Sequence, residues 1–157
     1  MGICSSLFGL CTALALDGGN SSDFAQLRAI AGEWKSMGTK KPLAISYREM
    51  SAQTVLVELY GVGSARETLT VFHPDGATLI ATHYCAQGNQ PRLRLEKASG
   101  HHWIFAFADA TNLPDTKASH LVRLELELLD PNRLIRTETY RVKDKDEVAR
   151  LELQRVH

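Results

Sequence analysis

From residue 33 onward the chain reads as a succession of strands. Leu43, Ile45 and Tyr47 alternate with Ala44, Ser46 and Arg48, and Val55, Val57 and Leu59 alternate with Leu56 and Glu58. That period of two belongs to a pleated segment whose faces meet different surroundings. Further runs cover Glu67–His73, Thr78–Cys85, Arg92–Lys97, His102–Ala108, His120–Leu129, Arg133–Val142 and Val148–Val156. The breakers between them include Gly61-Val62-Gly63-Ser64, Pro74-Asp75-Gly76, Ala98-Ser99-Gly100 and Asp130-Pro131-Asn132, and a Pro-Asp-Gly between two alternating runs is a hairpin signal. With a short segment at Glu33–Met37 the pattern predicts about ten strands at the spacing of sandwiches and barrels. No helix-length insertion separates them, so neighbouring strands are expected to be antiparallel. Closure removes exposed edges, and the expected fold is an all-β, up-and-down barrel whose interior can hold a small ligand.

Ser22-Asp23 can cap a short helix that carries Phe24, Leu27 and Ile30 along one face and stops at Gly32. This helix is expected to plug or flank the barrel. Toward the C-terminus, Val122, Leu124, Leu126 and Leu128 form an apolar face, with Arg123, Glu125 and Glu127 opposite. Arg136 and Glu138 on the following strand join the outer, charged face in this reading, as cross-strand ion pairs.

Composition narrows the classes. The 157 residues suffice for one domain, and 44% are apolar against 23% charged, as in a folded globular chain. Eighteen Lys and Arg balance eighteen Asp and Glu, so a general phosphate-backbone binder is not expected, and nucleic acid is not among the predicted partners. No apolar run is long enough to form a transmembrane segment. Residues 1–16 carry no charge and contain Ala13-Leu14-Ala15, the spacing that signal peptidase accepts. They read as an export signal, or else as a disordered leader, because no Lys or Arg precedes the apolar stretch. Residues 17–157 then form the single barrel domain, secreted or periplasmic if the leader is cleaved and cytoplasmic otherwise. A lipoprotein anchor at Cys11 is disfavoured by Leu10, and myristoylation after Met1-Gly2 ranks below export. Cys4 and Cys11 fall in the leader. Cys85 would remain alone, with no intramolecular disulfide to support the fold.

Candidate chemistry concentrates on two segments. In Thr78–Cys85, Leu79, Ala81, His83 and Cys85 share one face, which is taken as the inner one. His83 and Cys85 would project inward about 7 Å apart. His120 lies on the side of Val122 and Leu124 and is expected to point inward as well. Two imidazoles and a thiol in a closed cavity are candidate ligands for a transition metal or a haem iron, or candidate acid–base groups. The competing reading is a buried histidine satisfied by a hydrogen bond and a buried structural thiol. The second segment, Gly88-Asn89-Gln90-Pro91-Arg92, is either a polar rim that orients a carboxylate or phosphate, or a turn satisfied by its own amides. Arg92 or Arg155 is a candidate to stack on Trp34. Trp103, Phe105 and Phe107 form an aromatic stripe that serves either as core or as a ligand platform. His73, His101 and His102 border turns and are assigned to the surface.

Leu27-Arg28-Ala29-Ile30-Ala31-Gly32-Glu33-Trp34 resembles the helix-then-Gly-x-Trp opening of calycin-type barrels, the lipocalins, fatty-acid-binding proteins and nitrobindin-like domains. Leu69–Gly76, together with Thr82-His83-Tyr84-Cys85-Ala86-Gln87-Gly88-Asn89-Gln90-Pro91-Arg92, is similar to a group of uncharacterised bacterial proteins with a T-H-Y-C-x-x-G-N-Q-P-R core, many of them with export signals. Phe107–Leu113 and His120 extend the likeness, which spans most of residues 24–156. It implies a calycin-like barrel outside the cytoplasm and brings no established activity.

Three functions compete on this footing. The first is non-catalytic binding of a small amphipathic or apolar ligand, its body against Trp103 and Phe105 and its head near Asn89, Gln90 and Arg92. The second is a nitrobindin-like haem or metal protein using His83 or His120. The third is an enzyme using His83 or Cys85. No G-x-S-x-G, P-loop, H-E-x-x-H or C-x-x-C motif is present, which favours the non-catalytic reading.

Overall fold

A computed structural model describes residues 21–157; the predicted leader lies outside the described residues. A short helix α1 (Ser21–Leu27) continues into a 3-10 turn at Arg28–Ile30. Ten strands follow: β1 (Gly32–Ser36), β2 (Ala44–Met50), β3 (Val55–Tyr60), β4 (Thr68–Asp75), β5 (Thr78–Tyr84), β6 (Gln90–Ser99), β7 (His102–Thr111), β8 (His120–Asp130), β9 (Arg133–Val142) and β10 (Lys145–Val156). Each pairs antiparallel with the next, and β1 pairs with β10 through Trp34 opposite Arg155. The result is the closed up-and-down barrel that the alternation predicts, and it is consistent with the calycin-like fold that the resemblance implies.

The helix closes one end. Phe24, Leu27 and Ile30 are buried there, Arg28 pairs with Glu49 at 2.6 Å, and the Trp34 indole N–H donates to the Ile30 carbonyl at 2.9 Å. Of the two arginines considered for Trp34, Arg155 takes the position, its guanidinium 4.3 Å from the ring centre. Its N–H groups donate to the carbonyls of Ala29, Ala31 and Pro131. Gly32 permits this approach: its φ is +137°, and a Cβ there would lie 2.5 Å from the Arg155 guanidinium. Arg155→Ala removes a cation–π contact and leaves three carbonyls to be solvated, so a loss of about 1–3 kcal/mol is expected in urea denaturation.

The helix end of the interior is filled by side chains. Trp34, Ile45, Leu56, Phe72, Trp103 and Phe105 are all at most 1% accessible, and Phe72 meets Phe105 edge-on at 5.5 Å. Trp103 and Phe105 are therefore core, which corrects the first functional reading, in which they are the wall for the ligand's apolar body.

Two expectations about facing are corrected here. Cross-strand partners share a face, and Arg136 stands opposite Leu126 and Leu151, while Glu138 stands opposite Leu124. Leu124 and Leu126 are wholly buried, so Arg136 and Glu138 point into the barrel rather than to water. Second, the β8–β9 register shifts between Leu121 and Arg123. A bulge reverses the alternation. Leu121 before it and Leu124 after it both face inward, which turns His120 outward. His120 is buried at 3% accessibility on the outer side, where its ring lies 5.0 Å from Phe107 and its Nδ1 sits 2.7 Å from the Ala118 carbonyl.

Candidate functional site

The half of the barrel away from the helix carries a polar row. Tyr47 on β2, Glu58 on β3, Thr70 on β4 and His83 on β5 are successive cross-strand partners. Hairpin register alone thus lines four polar side chains across the inner wall. From the opposite wall, β9 presents Arg136, Glu138 and Tyr140 at every second position.

Glu58 is the hub, and it is completely buried. Arg136 donates to both its oxygens, Nε to Oε2 at 2.9 Å and Nη2 to Oε1 at 3.0 Å. Tyr47 donates to Oε2 at 2.7 Å and Thr70 to Oε1 at 3.0 Å. Four donors fill the four lone-pair directions of the carboxylate. Burial is the strongest influence on Glu58 and works to raise its pKa, but the charge and hydrogen bonds of Arg136 together with the Tyr47 hydroxyl bring it below the ordinary value. Tyr47 itself is pushed well up, first by burial and then by the adjacent Glu58 charge.

The remaining protons are ordered by these bonds. Thr70 has one hydroxyl proton and gives it to Glu58, so toward His83 Nδ1, at 3.0 Å, it can only accept. Nδ1 therefore carries the imidazole proton, and Nε2 accepts from the Tyr140 hydroxyl at 3.0 Å. Burial pushes the His83 pKa down to about 4, with the Glu58 charge opposing and Arg136 assisting, so the ring is neutral at neutral pH. The Tyr140 pKa is raised, first by burial and then by the Glu138 charge, which keeps its phenol protonated. The chain of donors runs Tyr140, His83, Thr70, Glu58.

Arg136 also donates from Nη1 to Glu138 Oε2 at 2.7 Å, and its guanidinium lies 4.5 Å from the centre of the Tyr60 ring. Above this floor the barrel opens into a cavity of about 490 Å³, bounded by Leu43, Tyr60, Cys85, Glu138, Tyr140 and Ala149 among others. It presents an apolar wall, a carboxylate and a phenol at the base, and a thiol beside them.

The residues singled out from sequence divide clearly. His83 and Cys85 do face this half of the barrel, and the Cys85 sulfur is 3.8 Å from the Tyr140 hydroxyl. Asn89 is buried and donates to the Ser119 carbonyl at 2.8 Å, while Gln90 bonds the Gly88 carbonyl and the Thr111 hydroxyl. Asn89 ties the turn after β5 to the segment before β8, and Gln90 ties it to the end of β7, the structural of the two roles considered. Arg92 faces outward and pairs with Asp109 at 2.5 Å, half exposed. His120, outside the wall, does not join His83. Haem or metal ligation by the two histidines together does not fit this arrangement, and His83 alone would have to release Tyr140 from Nε2. Among the described residues no three His, Cys, Asp or Glu side chains gather closely enough to hold a metal ion. No helix among them is long and apolar enough to cross a membrane.

Sequence reasoning missed Tyr47, Glu58, Thr70, Arg136, Glu138 and Tyr140. The available signal was positional: Glu58 lies two residues from Leu56, and Arg136 two from Leu134, so each continues an apolar face. No family model matches this chain, and no curated protein matches it in sequence.

Proposed function

We propose that the protein binds one small amphipathic molecule in the open half of its barrel and does not transform it. The observation that carries this reading is the pairing of a 490 Å³ cavity with a floor whose buried polar groups are already hydrogen-bonded to one another. Such a floor is rigid and pre-formed, the condition under which binding loses little to reorganisation. The apolar part of the ligand rests against Leu43 and the Tyr60 ring, and its polar head meets Tyr140, Cys85 and Glu138 at the base. Catalysis by His83 is disfavoured because a substrate proton could reach Nε2 only after Tyr140 had left it. With residues 1–16 read as an export signal, the binding takes place outside the cytoplasm.

Native mass spectrometry of gently purified protein, paired with the denatured mass, tests the proposal. The expected result is an additional mass, that of one small molecule, lost on denaturation. Ala149 lines the cavity opposite Glu138, so Ala149→Trp is expected to fill the site and abolish the additional mass without loss of fold by circular dichroism. A wild-type protein with no additional mass, or a folded Ala149→Trp variant that retains it, overturns the assignment.

A further inference from the structure

The charge of the cavity floor is unbalanced. One guanidinium, Arg136, serves two carboxylates, Glu58 and Glu138. Glu58 and Arg136 are no more than 1% accessible and Glu138 is 15% accessible, so solvent compensates little of the difference. His83 is neutral, and Tyr60 and Tyr140 keep their protons. The cluster therefore holds a net charge of one negative unit at the base of the cavity. At the mouth, Glu147 and Arg66 oppose one another in sign, so the wall leaves that imbalance in place.

Two acceptor positions look toward the open space. Arg136 occupies Glu138 Oε2, and Oε1 takes no hydrogen bond from the described residues. Tyr140 has committed its single proton to His83 Nε2, so its oxygen accepts from the Cys85 thiol at 3.8 Å and keeps one lone pair for a further donor. A carboxylate oxygen and a phenol oxygen that can only accept call for a donor, and the charge calls for a cationic one.

We infer that the ligand is a cationic amphiphile, an apolar body bearing a protonated amine that sits against Glu138 Oε1 and the Tyr140 oxygen. This rests on the cavity reading above and names its ligand class. An ammonium group restores neutrality at the base of the cavity. A carboxylate or phosphate head at the base would meet Glu138 as a like charge; the one cation lining the cavity among the described residues, the exposed Arg66, stands at its mouth.

The test compares three probes of one chain length, octylammonium, octanol and octanoate, titrated calorimetrically into the full chain at pH 7. Octylammonium is expected to bind about tenfold or more tighter than octanol, as for a charge-assisted hydrogen bond out of bulk water, and octanoate more weakly than either. Glu138→Gln is expected to bring octylammonium and octanol within about twofold of each other. Equal or reversed order in the wild-type protein overturns the cationic assignment while leaving cavity binding intact, and that comparison needs no variant. If none of the three probes binds, the cavity reading itself falls. A Glu138→Gln protein that stays folded and keeps the full preference for octylammonium also overturns the assignment.

Discussion

Arg136→Met is expected to destabilise the barrel by about 3–5 kcal/mol, the range for removing one partner of a buried ion pair. The substitution keeps most of the side-chain volume, so packing changes little. It leaves Glu58 with only Tyr47 and Thr70 as donors and Glu138 with no cation. The cost is that of an uncompensated buried carboxylate rather than of a lost attraction, since well-packed apolar replacements of whole buried pairs are often neutral. Urea denaturation at pH 7 measures it. Adding Glu58→Gln to Arg136→Met is expected to recover a large part of the loss, because the fully buried one of the two stranded charges is then gone. If the single variant costs less than about 1 kcal/mol, the value typical of a solvated surface pair, the network is not desolvated as its burial indicates.

The barrel should also weaken in mild acid, and His83 is the reason. Its folded-state pKa of about 4 lies below the ordinary 6.5, so between those values the unfolded chain binds a proton that the native barrel excludes. The stability involved is fully present above pH 6.5 and is lost as pH falls toward 4, by about 3 kcal/mol. Glu58 acts lower on the scale: its pKa is depressed from 4.5, so its contribution persists above that value and disappears only beneath it. Urea midpoints at pH 7.5, 6.0 and 4.5 separate the two groups. Wild-type stability should drop across this interval, and His83→Gln, which keeps a polar group at the site and does not titrate, should show a markedly shallower slope. Identical slopes would mean that His83 is not held neutral in the folded state.

Much of the fold was legible because it depends on local pattern. Alternation at Leu43–Arg48 and Val55–Leu59, the Pro74-Asp75-Gly76 turn, and the lack of a long insertion each act over a few residues, and together they specify antiparallel neighbours that close into a barrel. The helix before Gly32 and the inward face of His83 were readable in the same way. Arg136 and Glu138 were misplaced because charged residues in a strand usually face water, and the contrary information lay in a neighbouring strand, in Leu126 and Leu124 opposite them. His120 was misplaced because a bulge of one residue, invisible to periodicity, reverses the side on which everything before it points.

By itself, then, the sequence determined the class of the protein: strand number, pairing direction, the plugged end, and the presence of a histidine and a thiol on one inner face. Those properties follow from short-range steric and hydrophobic preferences. Only the tertiary structure decided the site. Tyr47, Glu58, Thr70 and His83 become a row through the register of three hairpins, and Arg136 reaches Glu58 from 78 residues away in the chain and Tyr140 reaches His83 from 57, because closure brings opposite walls together. A buried charge is stable only beside its counter-charge, and which residues serve one another in this way is settled by the space the closed barrel leaves, not by their order along the chain.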